Sequence, residues 1–319
     1  MDEPGDHPQE RRSTAGAIIS VVRLPHMVKN LVVLLPVIFA VRMGDVSAWR
    51  KAGLAALAFC LVSSGMYVFN DIRDRRGDRH HPQKKNRPIA AGHLGLGTAW
   101  ITCLVLLGLG AVLAWVGARG VSVFLAAYVL LGLGYSLGLK HKMLLDVIII
   151  AAGFVMRAAA GAVAIQVVIS PWLVVCTFTL CLFMGFCKRY SEVVTLAGES
   201  GAATRHRPTL GGYTPELLTH LITLSAAIAI ISFLLYATAK PMSYDRFEKM
   251  GLLYTLPLVI YGVCRFAMLS MRGRHADPVE IILHDRPFQA TVVLWTALAA
   301  VVILWADAIQ TWVTESLYP

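Results

Sequence analysis

The chemistry of this chain is concentrated in one stretch, Asn70–Gly92, reading NDIRDRRGDRHHPQKKNRPIAAG between long apolar runs. Asp71, Asp74 and Asp78 stand there at i, i+3 and i+7, among five arginines and two lysines. At ~100° per residue a helix gathers these three carboxylates within about a 60° sector. Convergent carboxylates beside the amide of Asn70 suit a hard divalent cation such as Mg²⁺, which takes oxygen ligands and is commonly shared with substrate phosphates. The expected metal ligands are therefore Asn70, Asp71, Asp74 and Asp78, with the three aspartates as the catalytic group. Neighbouring Arg and Lys would hold phosphate oxygens, Arg through its planar fork and Lys as a point charge. The plainer alternative is a solvated positive loop that only sets membrane orientation. Orientation needs Lys and Arg, but not three Asp on one helix face.

A second group of candidates follows another apolar run, in the loop beginning CKRYSE: Lys188, Arg189, Tyr190 and Glu192. Two adjacent cations and a phenol at a membrane mouth make a phosphate site, or else a basic interfacial belt with a Tyr anchor. YSLGLK, from Tyr135 to Lys140, repeats the aromatic-then-cation pattern more weakly. Three ionisable residues interrupt apolar spans, where a charge costs ~2.5 kcal/mol or more and normally faces the bundle interior. Lys29, followed by Asn30, and Arg157, flanked by small residues, are expected to face an anion. Arg265 lies nearer a span end and is expected to snorkel.

What positions these residues is a membrane bundle. Of 319 residues 57% are hydrophobic and 15% charged, with mean hydropathy +0.64; a soluble domain carries about 25% charged residues. Nine apolar spans are predicted, at about 24–42, 48–69, 97–117, 120–139, 145–166, 169–187, 215–238, 251–271 and 288–308. No strand-like alternation appears, so the fold class is an all-α nine-helix integral membrane bundle. Residues 1–16 read as a disordered cytoplasmic tail, and 17–319 as a single catalytic domain. The six cysteines form no C-x-x-C pair and read as small buried hydrophobes.

Of the 29 Lys and Arg, nineteen fall in the tail and the loops after spans 2, 4, 6 and 8. That bias places the N-terminus and every chemically rich loop in the cytoplasm, on the inner face of the plasma membrane. The net charge of +10 is thereby accounted for by topology. No nucleic-acid partner is implied. The polar, Pro-bracketed stretch from Asp277 to Phe288 is expected to form a short interfacial helix.

On these motifs the chain resembles the UbiA-type intramembrane prenyltransferase superfamily. The segments carrying the resemblance are RLPHMVKN (23–30), NDIRDRRGD (70–78), KNRPIAAG (85–92), MRAAAGA (156–162), KRYSE (188–192) and DPVEIILHDRP (277–287). The first Asp motif is superfamily-wide. Lys188–Glu192 stands where ordinary members carry a second Asp-rich motif, as in the phosphoribosyl-transferring branch. The resemblance implies a UbiA-type bundle with a cytoplasmic cap of loops and short helices. It also implies Mg²⁺-dependent transfer of 5-phosphoribosyl from phosphoribosyl pyrophosphate to decaprenyl or another polyprenyl phosphate, feeding cell-wall arabinan precursors. Lys29, Asn30, Arg73, Arg87, Lys188, Arg189 and Tyr190 would then meet phosphate and ribose, with Tyr135, Lys140, Asp146 and Arg157 as secondary contacts. The polyprenyl tail would lie in a groove open to membrane lipid. Two rivals are a true prenyltransferase acting on an aromatic acceptor, and a transporter of anionic lipid or sugar phosphate. The motifs leave the oligomeric state open, a homo-oligomer included.

Overall fold

A chain this apolar must satisfy its backbone internally, and helices do so within one segment. The computed structural model describes residues 13–40, 42–80, 84–197, 211–238, 249–272 and 278–304. Every regular element among them is helical. In chain order these are α1 (Thr14–Val22), a 3₁₀ segment (Leu24–Leu34), α2 (Leu35–Phe39), α3 (Val46–Asp78), a short 3₁₀ turn (Lys84–Asn86), α4 (Leu96–Gly117), α5 (Arg119–Leu137), a second short turn (Leu139–His141), α6 (Leu145–Ala164) and α7 (Pro171–Ala197). There follow α8 (Pro215–Thr238), a 3₁₀ segment (Lys249–Thr255), α9 (Leu256–Met271), α10 (Pro278–His284) and α11 (Arg286–Leu304).

Eight helical stretches among the described residues are long and apolar enough to cross a membrane. The ninth expected span is represented by α11, a shorter apolar helix; residues 305–308, where that span would end, lie outside the described residues. The first helix begins with a side-chain cap. Ser13 Oγ accepts from the Gly16 amide at 3.2 Å and starts α1 at Thr14; residues 1–12 lie outside the described ones. The first span is not one helix. Arg23 adopts a left-handed conformation (φ 56°, ψ 54°), and Pro25 opens the 3₁₀ segment. An eleven-residue 3₁₀ run is far longer than usual.

α3 is the central element. It packs along α4, where a Cβ on Gly110 would sit 2.6 Å from Val62 Cγ2 and 3.0 Å from the Ala58 carbonyl oxygen. Small residues let membrane helices approach this closely. The 3₁₀ segment presses on α6 more tightly still, since a Cβ on Gly161 would lie 2.0 Å from the Val33 carbonyl oxygen. One apolar cluster joins α3, α4, α5 and α6 around Phe59, Val62 and Leu125. Another joins α7, α8 and α9 around Phe183, Leu218 and Phe266.

One connector differs from expectation. The segment 188–192 is not a loop: α7 runs unbroken to Ala197. Asp277 lies outside the described residues; after it the expected short helix forms as α10 (Pro278–His284), and Asp285, whose Oδ1 accepts from the Phe288 amide at 2.8 Å, then starts α11. Arg265 has its head group held by a carboxylate of the connector. Its Nε and Nη2 donate to the two oxygens of Asp285 at 2.6 and 2.9 Å, because this carboxylate is delivered to the end of α9.

Candidate active site

The aspartates occupy the last turns of α3, which stays helical through Asp78, so the expected common face forms. Asp71 and Asp78 are buried, at 2% and 5% exposure, and Asp74 is half-buried. Each is met by a basic side chain from a different part of the chain. Arg23 Nη2 donates to both oxygens of Asp71, at 2.6 and 2.8 Å. Arg87 Nη1 bridges Asp71 Oδ1 and Asp78 Oδ2, at 3.0 and 2.8 Å. Lys140 Nζ holds both oxygens of Asp74, at 2.5 and 2.6 Å, and reaches Asn70 Oδ1 at 3.3 Å. Asn70 in turn donates to Asp74 Oδ2 at 3.0 Å and accepts from Ser136 Oγ at 3.2 Å.

Arg23 was missed as a site residue, although it opens the RLPHMVKN motif. Its cradle is built on α3. Ser64 Oγ donates to the Val22 carbonyl at 2.9 Å. The Tyr67 ring lies 5.1 Å from the guanidinium carbon, and Asp71 takes the guanidinium edge. Arg73 is exposed and turns away from the acidic face, donating to the carbonyls of Ser136 at 3.0 Å and Leu137 at 3.4 Å. It ties α3 to the end of α5.

Among the described residues no three His, Cys, Asp or Glu side chains come together closely enough to hold a metal. The donor set nevertheless suits one. Two buried carboxylates share a single Arg87 nitrogen, so this nitrogen sits where a cation common to both would sit. In this arrangement the cations on the acidic face are the protein's own.

Asn30 and Arg157 lie deeper in the bundle, at 1% and 4% exposure. Arg157 donates to Asn30 Oδ1 at 2.7 Å, Gly153 O at 2.9 Å and Tyr128 Oη at 2.9 Å. Its guanidinium also lies 4.4 Å from the Tyr128 ring centre and 5.2 Å from that of Phe154. Asn30 Nδ2 donates to Ser63 Oγ at 3.2 Å and Cys60 Sγ at 3.3 Å. Arg157, expected with Lys29 to face an anion, is here bonded to Asn30 in a hub that joins the 3₁₀ segment, α3 and α6. Lys29, half-buried, is on the same segment.

The second group centres on Arg189, 2% exposed. Its Nε lies 3.0 Å from Asp146 Oδ2, at an angle that makes an ion pair but no hydrogen bond, and its Nη1 bonds Glu192. Asp146 is fully buried and accepts from Tyr213 Oη at 3.0 Å. Tyr213 Oη accepts from the Leu144 amide at 2.8 Å. Burial pushes the Tyr213 phenol up to about 12, so it remains a donor to Asp146 at neutral pH. Leu144 holds a positive φ of 67°, a strained conformation for this residue type. Arg189 and Asp146 thus neutralise each other and tie the start of α6 to α7. Lys188 and Tyr190 flank them, half-buried, as does Tyr135 near the end of α5. Neither Tyr213 nor Ser136 carries a sequence signal that would single it out.

A multi-pass helical bundle with facing acidic and basic groups where α3 and α5 end and α6 begins defines an intramembrane protein with a charged site at one end. Residues 30–280 match the UbiA prenyltransferase family, and the chain belongs to that family. It is 33% identical over 305 residues to a decaprenyl-phosphate phosphoribosyltransferase of Mycolicibacterium smegmatis, covering 90% of this chain and 94% of that one. It is 31% identical over 297 residues to the protein of the same name in Corynebacterium glutamicum, covering 90% and 86%. Among solved structures it resembles a UbiA homologue from Archaeoglobus fulgidus bound to GPP and Mg²⁺. There the TM-score is 0.64 at 19% identity, over 90% of this chain and 99% of that one.

Proposed function

We propose that this chain transfers 5-phosphoribosyl from phosphoribosyl pyrophosphate to a polyprenyl phosphate, decaprenyl phosphate or a near analogue, and releases pyrophosphate. The observation that carries this reading is the state of the second acidic pair. Asp146 and Glu192 are both taken up by the buried Arg189, whereas Asp71 and Asp78 on α3 are met by the partly exposed Arg23 and Arg87, which a phosphate can draw away. One such face suits one diphosphate donor. The basic residues around it suit the bare phosphate of an acceptor. The relatives named decaprenyl-phosphate phosphoribosyltransferase, similar over about nine-tenths of the chain, support decaprenyl phosphate as acceptor and phosphoribosyl as the group moved.

Asn70, Asp71, Asp74 and Asp78 are the residues that would hold Mg²⁺. A bound divalent ion supplies charge neutralisation for the departing pyrophosphate. Arg23, Arg87, Lys140 and Lys188 would bind phosphate oxygens and fix the donor against the acceptor. A lipid phosphate is already ionised at neutral pH, so its attack needs no strong general base. Catalysis then rests on positioning and fixed charge. Asn30, Arg157, Asp146 and Arg189 act by holding the segments that carry these contacts. The bias of basic residues supports an active site facing the cytoplasm at the plasma membrane, and arabinan precursor synthesis is the setting proposed for the product.

A labelled-donor assay on the purified protein with Mg²⁺ and polyprenyl phosphate tests the reading. Label should move from phosphoribosyl pyrophosphate and not from geranyl diphosphate. Transfer from geranyl diphosphate to an aromatic acceptor would replace it with the prenyltransferase reading.

A further inference from the structure

Three carboxylates, Asp71, Asp74 and Asp78, are closed by three cations, Arg23, Arg87 and Lys140. The acidic face is therefore electrically complete before any ligand arrives. A divalent cation placed there adds two uncompensated charges to a set of groups mostly withdrawn from water, and such charges are expensive unless paired. The ion must also separate the carboxylates from the guanidinium and ammonium groups that hold them. The cost falls away when the ion arrives with a phosphate-bearing anion. The displaced Arg and Lys then find new oxygens at the position they have just left.

We propose that Arg23, Arg87 and Lys140 are exchangeable counter-ions: they neutralise the aspartates in the empty protein and pass to phosphate oxygens when a divalent cation takes their place. Cation and diphosphate consequently bind as a pair, each weakly without the other. The inference rests on the reading that Asp71, Asp74 and Asp78 are metal ligands.

Arg23 is the member with the most elaborate support. Its backbone is held in the left-handed region, the preceding carbonyl is tied by Ser64, and the Tyr67 ring lies against its guanidinium. Ser64, Tyr67 and Asp71 are spaced at i, i+3 and i+7 along one face of α3. The guanidinium can pivot over this aromatic surface from carboxylate to phosphate without leaving the site. Arg87 is the complementary member, because withdrawing it frees Asp71 and Asp78 together.

Binding of Mn²⁺ to the full-length protein in lipid nanodiscs, followed by electron paramagnetic resonance with and without inorganic pyrophosphate, reads the exchange directly. Free Mn²⁺ and its solution complex with pyrophosphate are separately visible in protein-free controls. For the unaltered chain, pyrophosphate should tighten Mn²⁺ binding by about ten- to a hundred-fold, and by linkage Mn²⁺ should tighten pyrophosphate binding equally. Arg23→Ala should bind Mn²⁺ alone several-fold more tightly, since a competitor is gone, and should lose most of the pyrophosphate effect. Arg87→Ala should do the same, which guards against a folding defect in either variant. Mn²⁺ binding indifferent to pyrophosphate, or weakened in both variants, would overturn the exchange and leave the metal reading standing. Absence of any Mn²⁺ binding that Asp71→Asn abolishes, in either condition, would overturn both.

Discussion

Asp71 is 2% exposed and touches two guanidinium groups, so its charge matters to the site both with and without ligand. Asp78 is in the same position with one guanidinium. Asp71→Asn and Asp78→Asn keep the shape and remove one negative charge each. Turnover is expected to fall by orders of magnitude while the variants still insert, as judged by purification yield and thermal melting. Near-normal activity in both would remove the aspartates from the chemistry. Lys188 and Arg189 are adjacent in sequence, but their environments separate them. Lys188→Ala should lower kcat/KM for one substrate about ten- to a hundred-fold, the loss of a charge-assisted contact worth roughly 1.5–3 kcal/mol. Arg189→Ala instead strands the fully buried Asp146. Breaking a buried ion pair from one side costs about 3–5 kcal/mol, so this variant should show a clear drop in melting temperature.

The elements that carry these residues were legible to different degrees, for physical reasons. The end of α3 was legible because i, i+3, i+7 spacing is a property of the helix itself. The 3₁₀ segment was not. Its conformation is imposed from outside, by the bonds of Asn30 to α3 and α6 and by the absence of a side chain at Gly161, none of which appears in a local apolar pattern. The end of α7 read as a loop because charge density there is high. The helix continues because Arg189 finds Asp146 on α6 and Glu192 on its own next turn. Composition could not anticipate the first of these contacts. At this scale Gly161→Ala is the decisive substitution. The new methyl would meet backbone oxygen 2.0 Å away, and a backbone atom cannot rotate aside. Such overpacking typically costs about 1–3 kcal/mol. Because the 3₁₀ segment follows Arg23 directly, activity should fall along with the melting temperature. A melting temperature that drops with full activity retained would separate the segment from the site.

At the scale of the whole molecule, the acidic face, its counter-ions and the Arg189 group gather where α3 ends, α5 ends and α6 begins, beside the far half of α7. A soluble, highly charged donor reaching that end from the cytoplasm need never cross the bilayer. The lipid phosphate would approach at headgroup level, with its tail held between helices. Two anions repel, so they are expected to bind on opposite faces of the ribose, the pyrophosphate at the α3 aspartates and the lipid phosphate at the opposing cations. A single displacement between opposite faces inverts the anomeric carbon. The α-configured donor should therefore yield a β-linked product, with the C1–pyrophosphate bond breaking as the C1–phosphate bond forms. Retention would require two displacements through a ribosyl ester on a carboxylate. Asp146 is a poor nucleophile for this, being fully buried and engaged by Tyr213 and Arg189. Glu192 is bound to Arg189 as well. NMR of the product decides between them: a β linkage agrees with direct transfer, and an α linkage would sink it and point to Glu192, the more exposed of the two.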